Sequence, residues 1–526
     1  MYLLYITLLC LSIRSHVCLE KPMFKSTKWL KGLNTSQLNY GVAVSDVDHD
    51  GTFEWIVAGY NGKNFVLSYD NNRKRLVDLA QKGTKFESLM DVRGQAIGVA
   101  ACDIDGDGKE EIYFLNTNNA YAGRASYGDK LFKYRNAAYV DLFSDQVNRN
   151  LDAKHFAGRS VACIDRFGNG IYSFIVATYS TGGTGKFALI EMDAQNNRND
   201  VSSGFIALKN AASEAGIDKA TGGRGIAVGP ILGNGYSDIF FDNEGNPWRG
   251  NPGGNFLFEN NGSGQFTDRA NETGTIDENE NGRGIALADF NNDGLIDITY
   301  GNWDGNHRLF LQRKNKKGEI KFRNVATKAF RNPTLVRTVI AKDFDNDGNL
   351  EVFFNNICGR NNKQQPNKLF TVIPINEKKV SIKKVRIGKA REPTGCGTGG
   401  AVADMNGDGK LDLILSHGES NGQPLTVFQV GPGSENNWIR ILPVTRYGAP
   451  ARGTRVTATL SDGRKLTRVI DGGSGYLCQM EPVAHIGLGN NSVISVEIQW
   501  PDRTLVTKTL TNLDMNKTHK IAVTGK

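Results

Sequence analysis

Five nine-residue stretches carry the chemistry of this chain: "DVDHDGTFE" from Asp46, "DIDGDGKEE" from Asp103, "DFNNDGLID" from Asp289, "DFDNDGNLE" from Asp343 and "DMNGDGKLD" from Asp404. Each places oxygen-bearing side chains at its first, third and fifth positions, glycine at its sixth and a carboxylate at its ninth. A tight turn with this spacing can wrap a hard cation such as Ca²⁺, which takes about six to eight oxygen ligands. An EF-hand would also need a Glu at the twelfth place and helices on both sides. Counting from Asp343, the twelfth residue is Phe354, and the flanks "RTVIAKD" and "LEVFFNN" are β-branched and aromatic, the pattern of buried strands. The expected ligands are therefore four side chains and one backbone carbonyl per loop, with the carbonyl at the seventh place. They are Asp46, Asp48, Asp50, Thr52 and Glu54; Asp103, Asp105, Asp107, Lys109 and Glu111; and Asp289, Asn291, Asp293, Leu295 and Asp297. The last two sets are Asp343, Asp345, Asp347, Asn349 and Glu351, and Asp404, Asn406, Asp408, Lys410 and Asp412. The seventh residues share no chemistry, as a carbonyl ligand allows, and up to five Ca²⁺ are expected.

Two weaker copies, "DRFGNGIYS" from Asp165 and "PILGNGYSD" ending at Asp238, keep the turn glycine but lose the carboxylates at the third and fifth places. The seven loops start at 46, 103, 165, 230, 289, 343 and 404, about 60 residues apart. A small-residue, β-branched strand such as "GVAVSD" or "GIALAD" precedes each loop, and an apolar strand such as "WIVAGY" or "FIVATY" follows it. Two apolar strands around one tight turn make the inner half of a four-stranded sheet, and outer hairpins such as "NFLFENNGSGQFTD" supply the rest. The expected fold is all-β: a seven-bladed β-propeller over residues 19–433, then a small β-rich C-terminal domain over 434–526.

The first 18 residues are apolar from Tyr2 to Ile13 and then polar, the length of a signal-peptide core and too short to span a membrane. A secreted, extracellular-matrix protein is expected, with N-x-S/T acceptor sites at Asn34, Asn261, Asn271, Asn490 and Asn516. Cys358 and Cys396, in loops of neighbouring repeats, are the expected disulfide; Cys102 and Cys163, on strands just before their loops, read as small buried hydrophobes. The formal net charge is +8, and its densest stretch runs from Glu377 to Arg391. There Lys383, Lys384 and Arg386 offer either a patch for sulfated glycosaminoglycan or the protective charges of an outer strand. Extracellular or cell-surface proteins are the expected partners; nucleic acid and a membrane span are not expected.

Catalytic constellations are not apparent. His485 in "AHIGLG" has no second group at a useful spacing and reads as a structural histidine. The glycines from Asp471 to Tyr476 read as a tight β-turn, since no helix pattern follows them. Ser416, His417 and Glu419 lie on one extended strand exit, where neighbours point to alternate faces and cannot form a relay. The tryptophans are scattered singly, as in core packing, and Asn246 to Asn255 is a candidate contact loop. The chain is thus expected not to be an enzyme. The alternatives are a carbohydrate-active enzyme of polysaccharide lyase type and an integrin-like ligand-binding propeller.

The loops resemble the FG-GAP/VCBS repeats of integrin alpha-subunit propellers, and "GNFLFENNGSGQFTD" looks like the variant usual in the cartilage acidic protein family. "GGSGYLCQ" from Gly472, "HIGLG" from His485 and "VEIQWPD" from Val496 are similar to the ASPIC/UnbV domain that follows the propeller in that family. The resemblance implies an extracellular, glycosylated, calcium-binding protein that works by contacting other proteins. The chain departs from the family in being basic, and no calcium-binding EGF module is expected after the ASPIC/UnbV segment.

Overall fold

The computed structural model describes residues 21–523 apart from 118–124, 179–185, 197–204, 220–221, 246–252, 360–363, 420 and 503–505. The expected signal segment and most of the candidate contact loop at Asn246–Asn255 lie outside the described residues.

Seven four-stranded antiparallel sheets account for residues 24–430. The innermost strands are Asn39–Ser45, Ala96–Cys102, Gly158–Ile164, Gly223–Gly229, Gly282–Ala288, Val336–Lys342 and Gly397–Ala403. Each is in contact with the innermost strand of the next sheet, and the last with the first, so the sheets form a closed propeller around a central channel. Small residues such as Gly41, Gly98 and Gly284 dominate these strands because the channel leaves little room: a Cβ on Gly41 would stand 2.2 Å from the Leu477 carbonyl oxygen. The second strands, such as Trp55 to Ala58 and Phe174 to Ala177, are buried on both faces, which explains their unbroken apolar runs. The seventh sheet takes its outermost strand from the start of the chain, with Phe24 opposite Val430 and Ser26 opposite Phe428. This pairing completes the seventh sheet with a strand from the other end of the chain and so fastens the ring.

The C-terminal segment folds as a three-stranded sheet centred on Asn437–Val444 and a four-stranded sheet centred on Arg455–Leu460 and Val493–Gln499. It has its own core, including Ile439, Ile441, Val456, Leu466, Ile486, Val496 and Trp500. The boundary near 434 is nevertheless one of chain order and not of packing. Residues 471–481 leave this domain and enter the propeller channel, where they bond to the innermost strand of every blade. The Val42 and Val402 carbonyls accept the Gln479 and Glu481 amides, while the Cys163, Val228 and Ile285 amides donate to the carbonyls of Gly472, Gly473 and Gly475. Ala101 donates to the Gln479 side chain at 2.9 Å, Thr338 Oγ1 to the Tyr476 carbonyl at 3.3 Å, and the Gly400 amide to Cys478 Sγ at 3.3 Å. Each bond contributes about 1 kcal/mol net, but a strand amide left unpaired in a dry channel would cost about 1–3 kcal/mol. The predicted tight turn is present, with Ser474 bridged to Cys478, and forms the tip of this plug. Gly475 turns it at φ 62°, and a Cβ on Gly473 would meet that of Ala162 at 2.3 Å.

Candidate metal loops and the domain that covers them

All seven loops share one hydrogen-bond frame. The seventh-place amide donates to the fifth-place side chain in every loop, intact or degenerate: Thr52 to Asp50, Lys109 to Asp107, Ile171 to Asn169, Tyr236 to Asn234, Leu295 to Asp293, Asn349 to Asp347 and Lys410 to Asp408. The sixth-place glycine amide donates to the first carboxylate, as Gly51 does to Asp46 and Gly348 to Asp343. The ninth carboxylate accepts the second-place amide, as Glu54 does from Val47, Glu111 from Ile104 and Glu351 from Phe344. In the degenerate loops Asp165 keeps the first of these roles, and Asp238 accepts the third-place amide, that of Leu232, in place of the second. The loop is therefore a turn that folds by its own bonds, with the third and fifth carboxylates added in some copies.

Position four was a signal the motif reading passed over. It is His49, Gly106, Gly168, Gly233, Asn292, Asn346 and Gly407, and every one has φ between 58° and 78°. Only glycine, asparagine and, less often, histidine adopt this region readily, so the residue types there mark the turn.

The carboxylates gather differently from loop to loop. Ligand oxygens of Asp46, Asp48 and Asp50 lie within 4.8 Å of one another, as do those of Asp103, Asp105 and Glu111 and those of Asp343, Asp345 and Asp347. In the loops at Asp289 and Asp404 the third place is an asparagine whose amide turns back on the fifth carboxylate, Asn291 onto Asp293 at 2.8 Å and Asn406 onto Asp408 at 3.0 Å. Burial pushes these groups up: Asp46, Asp345 and Asp404 to about 6, Asp103, Asp289 and Asp343 to about 7, and Glu54 to about 9. Neighbouring carboxylates push the same way. Asp46 Oδ1, Asn291 Oδ1, Asp343 Oδ1 and Asp345 Oδ1 are buried without a hydrogen-bond partner. Buried acceptors with raised pKa values and no donor fit a divalent cation, which would supply the missing charge.

The second loop already holds a positive charge. Lys133, from the blade's third strand, puts its Nζ 2.9 Å from Asp105, 2.6 Å from Asp107 and 2.9 Å from Glu111, and the ammonium is only 5% exposed. Burial opposes that charge, but Glu111 and Asp105 more than offset it and raise the lysine pKa. Nothing in the motif points to Lys133, which lies more than twenty residues beyond the loop in an amphipathic outer strand.

The C-terminal domain sits on these loops. Gly487 donates to Asp343 at 2.9 Å, Arg468 stands 3.6 Å from the same carboxylate, and His485 Nε2 meets Asn346 Oδ1 at 2.6 Å. His485 is buried and held neutral by burial and by Arg440 and Arg468, a packing role that matches its structural reading. Arg452, 1% exposed, bonds Glu110 of the second loop at 2.7 Å and the Val44 carbonyl at 3.0 Å. Of the seventh-place side chains, Thr52 and Asn349 donate to the fifth carboxylates, Asp50 at 2.6 Å and Asp347 at 2.9 Å, while Lys410 reaches the Pro432 carbonyl.

Cys358 is bonded to Cys396. Cys102 and Cys163 are buried, as read, but they are also bonded to each other, joining the innermost strands of two adjacent blades. Those strands are neighbours because consecutive blades pack innermost strand against innermost strand. Lys379–Lys384 is the outermost strand of the sixth blade, with Lys383 and Lys384 exposed, which is the edge-protecting arrangement. All five acceptor asparagines, Asn34, Asn261, Asn271, Asn490 and Asn516, are exposed. Among the described residues no helix is long and apolar enough to cross a membrane.

Residues 445–526 match the family described as ASPIC and UnbV, and residues 231–300 and 289–354 match the FG-GAP-like repeat. Cartilage acidic protein 1 of Homo sapiens is 54% identical over 492 residues, 93% of this chain and 72% of that one. Cartilage acidic protein 1 of Mus musculus is also 54% identical, covering 93% of this chain and 74% of the mouse protein.

Proposed function

Because the chain belongs to the cartilage acidic protein family, we propose that it is a secreted, calcium-binding propeller of the extracellular matrix or cell surface. It acts by presenting a rigid surface to other extracellular proteins and not as an enzyme. The observation that carries the calcium reading is the set of buried, partnerless oxygens at Asp46, Asn291, Asp343 and Asp345. Ions at these loops would neutralise the face on which the C-terminal domain rests, through Gly487 on Asp343 and Arg440 near Asp404. The opposite face, with the channel mouth, is left for partners.

The size of the effect can be set out. For an extracellular site with a Kd of about 0.1 mM in about 1 mM Ca²⁺, mass action stabilises by about 1.4 kcal/mol. Four or five such sites sum to about 6–7 kcal/mol, comparable with the net stability of a whole domain. Structural stabilisation alone therefore accounts for the ions. The test is thermal denaturation of the full chain in 1 mM Ca²⁺ and in EDTA, with Ca²⁺ equivalents counted by calorimetry. A melting curve that EDTA leaves unchanged would overturn the reading.

A further inference from the structure

The channel mouth opposite the metal loops opens into a cavity of about 240 Å³. Four arginines line it, Arg159, Arg224, Arg283 and Arg337, and each is the second residue of an innermost strand in four consecutive blades. The strand register slips at that place in each of the four, between Gly158 and Ser160, Gly223 and Ile226, Gly282 and Ile285, and Val336 and Val339. A bulge re-aims the side chain it carries. The other three blades put Tyr40, Ile97 and Thr398 at the same place, so the fold does not require arginine there.

Two carboxylates face the four guanidiniums. Glu244 pairs with Arg224 and lies 3.3 Å from Arg283, while Glu419 accepts from Arg337 at 2.8 Å. Arg159 donates to Thr117 Oγ1 at 2.8 Å and to the Gly158 carbonyl at 2.9 Å. The residues lining the cavity thus carry a surplus of two positive charges. Arg283 is 3% exposed, and its pKa is pushed down to about 10 by burial and by Arg224 and Arg337. Trp303 lies between two of the guanidiniums, 5.1 Å from Arg283 and 5.1 Å from Arg337, and the plug residue Tyr476 closes the floor 5.8 Å from Arg337. Crowding like charges at a buried site destabilises a fold unless an anion joins them.

We infer that this mouth binds a small dianion, two carboxylates on a compact body or a single sulfate, held by guanidinium forks against the Trp303 ring. Guanidinium is suited to this task because its planar fork matches such oxyanions two bonds at a time. The dianion is either a free small molecule or a pair of acidic side chains borne by a partner protein. In the second case the inference rests on the reading of the open face as a partner surface.

The test is calorimetry on the full chain in 1 mM Ca²⁺ with four probes: succinate, inorganic sulfate, a capped Glu-Glu dipeptide, and succinamide as the uncharged control. Saturable one-to-one binding of at least one dianion and none of succinamide is expected; tighter succinate or sulfate marks a free ligand, a tighter dipeptide a partner's side chains. Arg224→Gln and the charge-conserving Arg337→Lys should each weaken that binding about tenfold or more, with Ca²⁺ equivalents unchanged. The inference is overturned if no dianion binds, or if binding survives both variants. Ca²⁺ equivalents are read in the same experiment, so either result leaves the calcium reading standing or falling by itself.

Discussion

The first and second metal loops are adjacent in the ring and nearly alike in sequence, yet they solve the same electrostatic problem in opposite ways. Both set four carboxylates in a turn at the end of an innermost strand. In the second, Lys133 enters from the third strand and bonds Asp105, Asp107 and Glu111. In the first, among the described residues, no such ammonium arrives: Asp46 Oδ1 is without a partner and Glu54 is pushed up to about 9. A tethered ammonium carries one charge and is always present, whereas a calcium ion carries two and depends on its concentration. On the proposed calcium reading, one blade is stabilised by the chain itself and its neighbour by the surroundings.

The largest effect that would break this contrast is expected at Lys133. Lys133→Ala in EDTA leaves the buried side chains of Asp105 and Glu111, and the more exposed Asp107, without their cation and should cost about 3 kcal/mol or more. In millimolar Ca²⁺ most of that loss should return, and calorimetry should count one Ca²⁺ more than in the parent. A loss that calcium does not restore would mean that the second loop cannot hold an ion. Next, Asp46→Asn with Asp48→Asn should remove one Ca²⁺ equivalent and about 1.4 kcal/mol at 1 mM Ca²⁺. The same pair of changes at Asp103 and Asp105 should remove no equivalent.

The pH dependence follows from the raised carboxylates. In the metal-free protein, Asp46 and Asp345 near 6, Asp343 near 7 and Glu54 near 9 hold protons that the unfolded chain has lost above about 4. The folded state binds more protons, so their contribution is complete below about pH 4 and is lost as pH rises through these values. In EDTA the melting temperature should therefore rise as pH is lowered from 8 to 6, and Ca²⁺ should flatten that slope by replacing the protons. A slope that is the same in EDTA and in Ca²⁺ would separate the raised carboxylates from the ion sites. The smallest effect distinguishes the fourth places. His49→Gly relieves a left-handed backbone at φ 65° and should change stability by about 1 kcal/mol or less. Gly106→His should cost more, because the Tyr447 ring is 3.2 Å from where a Cβ would stand.

The inner strands, the turn glycines and the loop carboxylates were legible because each is a local pattern repeated about every 60 residues. A residue such as Gly51 or Asp343 is determined by the nine positions around it. Lys133 was not legible, since a lysine on an outer strand looks solvated until the strand is folded back over its loop. The channel plug was still less so. It joins Gln479 to Ala101, and Arg452 of the same domain joins Glu110, each across more than three hundred residues, and no periodicity in the chain marks such partners. The arginines fall between these cases. "GRS", "GRG", "GRG" and "VRT" stand at one phase of four consecutive repeats, but an apolar pattern is first apparent just after them, so a search for strands begins one residue too late.

The plug also sets an order of events. A ribosome releases the blades long before it releases residues 471–481, and contacts spanning such distances are the slow ones to form. A ring that closes before its spindle arrives has an empty axis, and until Gln479 and Glu481 dock the Ala101 amide and the Val402 carbonyl have only water to face. A chain stalled between the seventh blade and the plug would be a wheel without an axle, so any quality check in the cell that reads channel exposure would judge this protein by whether residues 471–481 are in place.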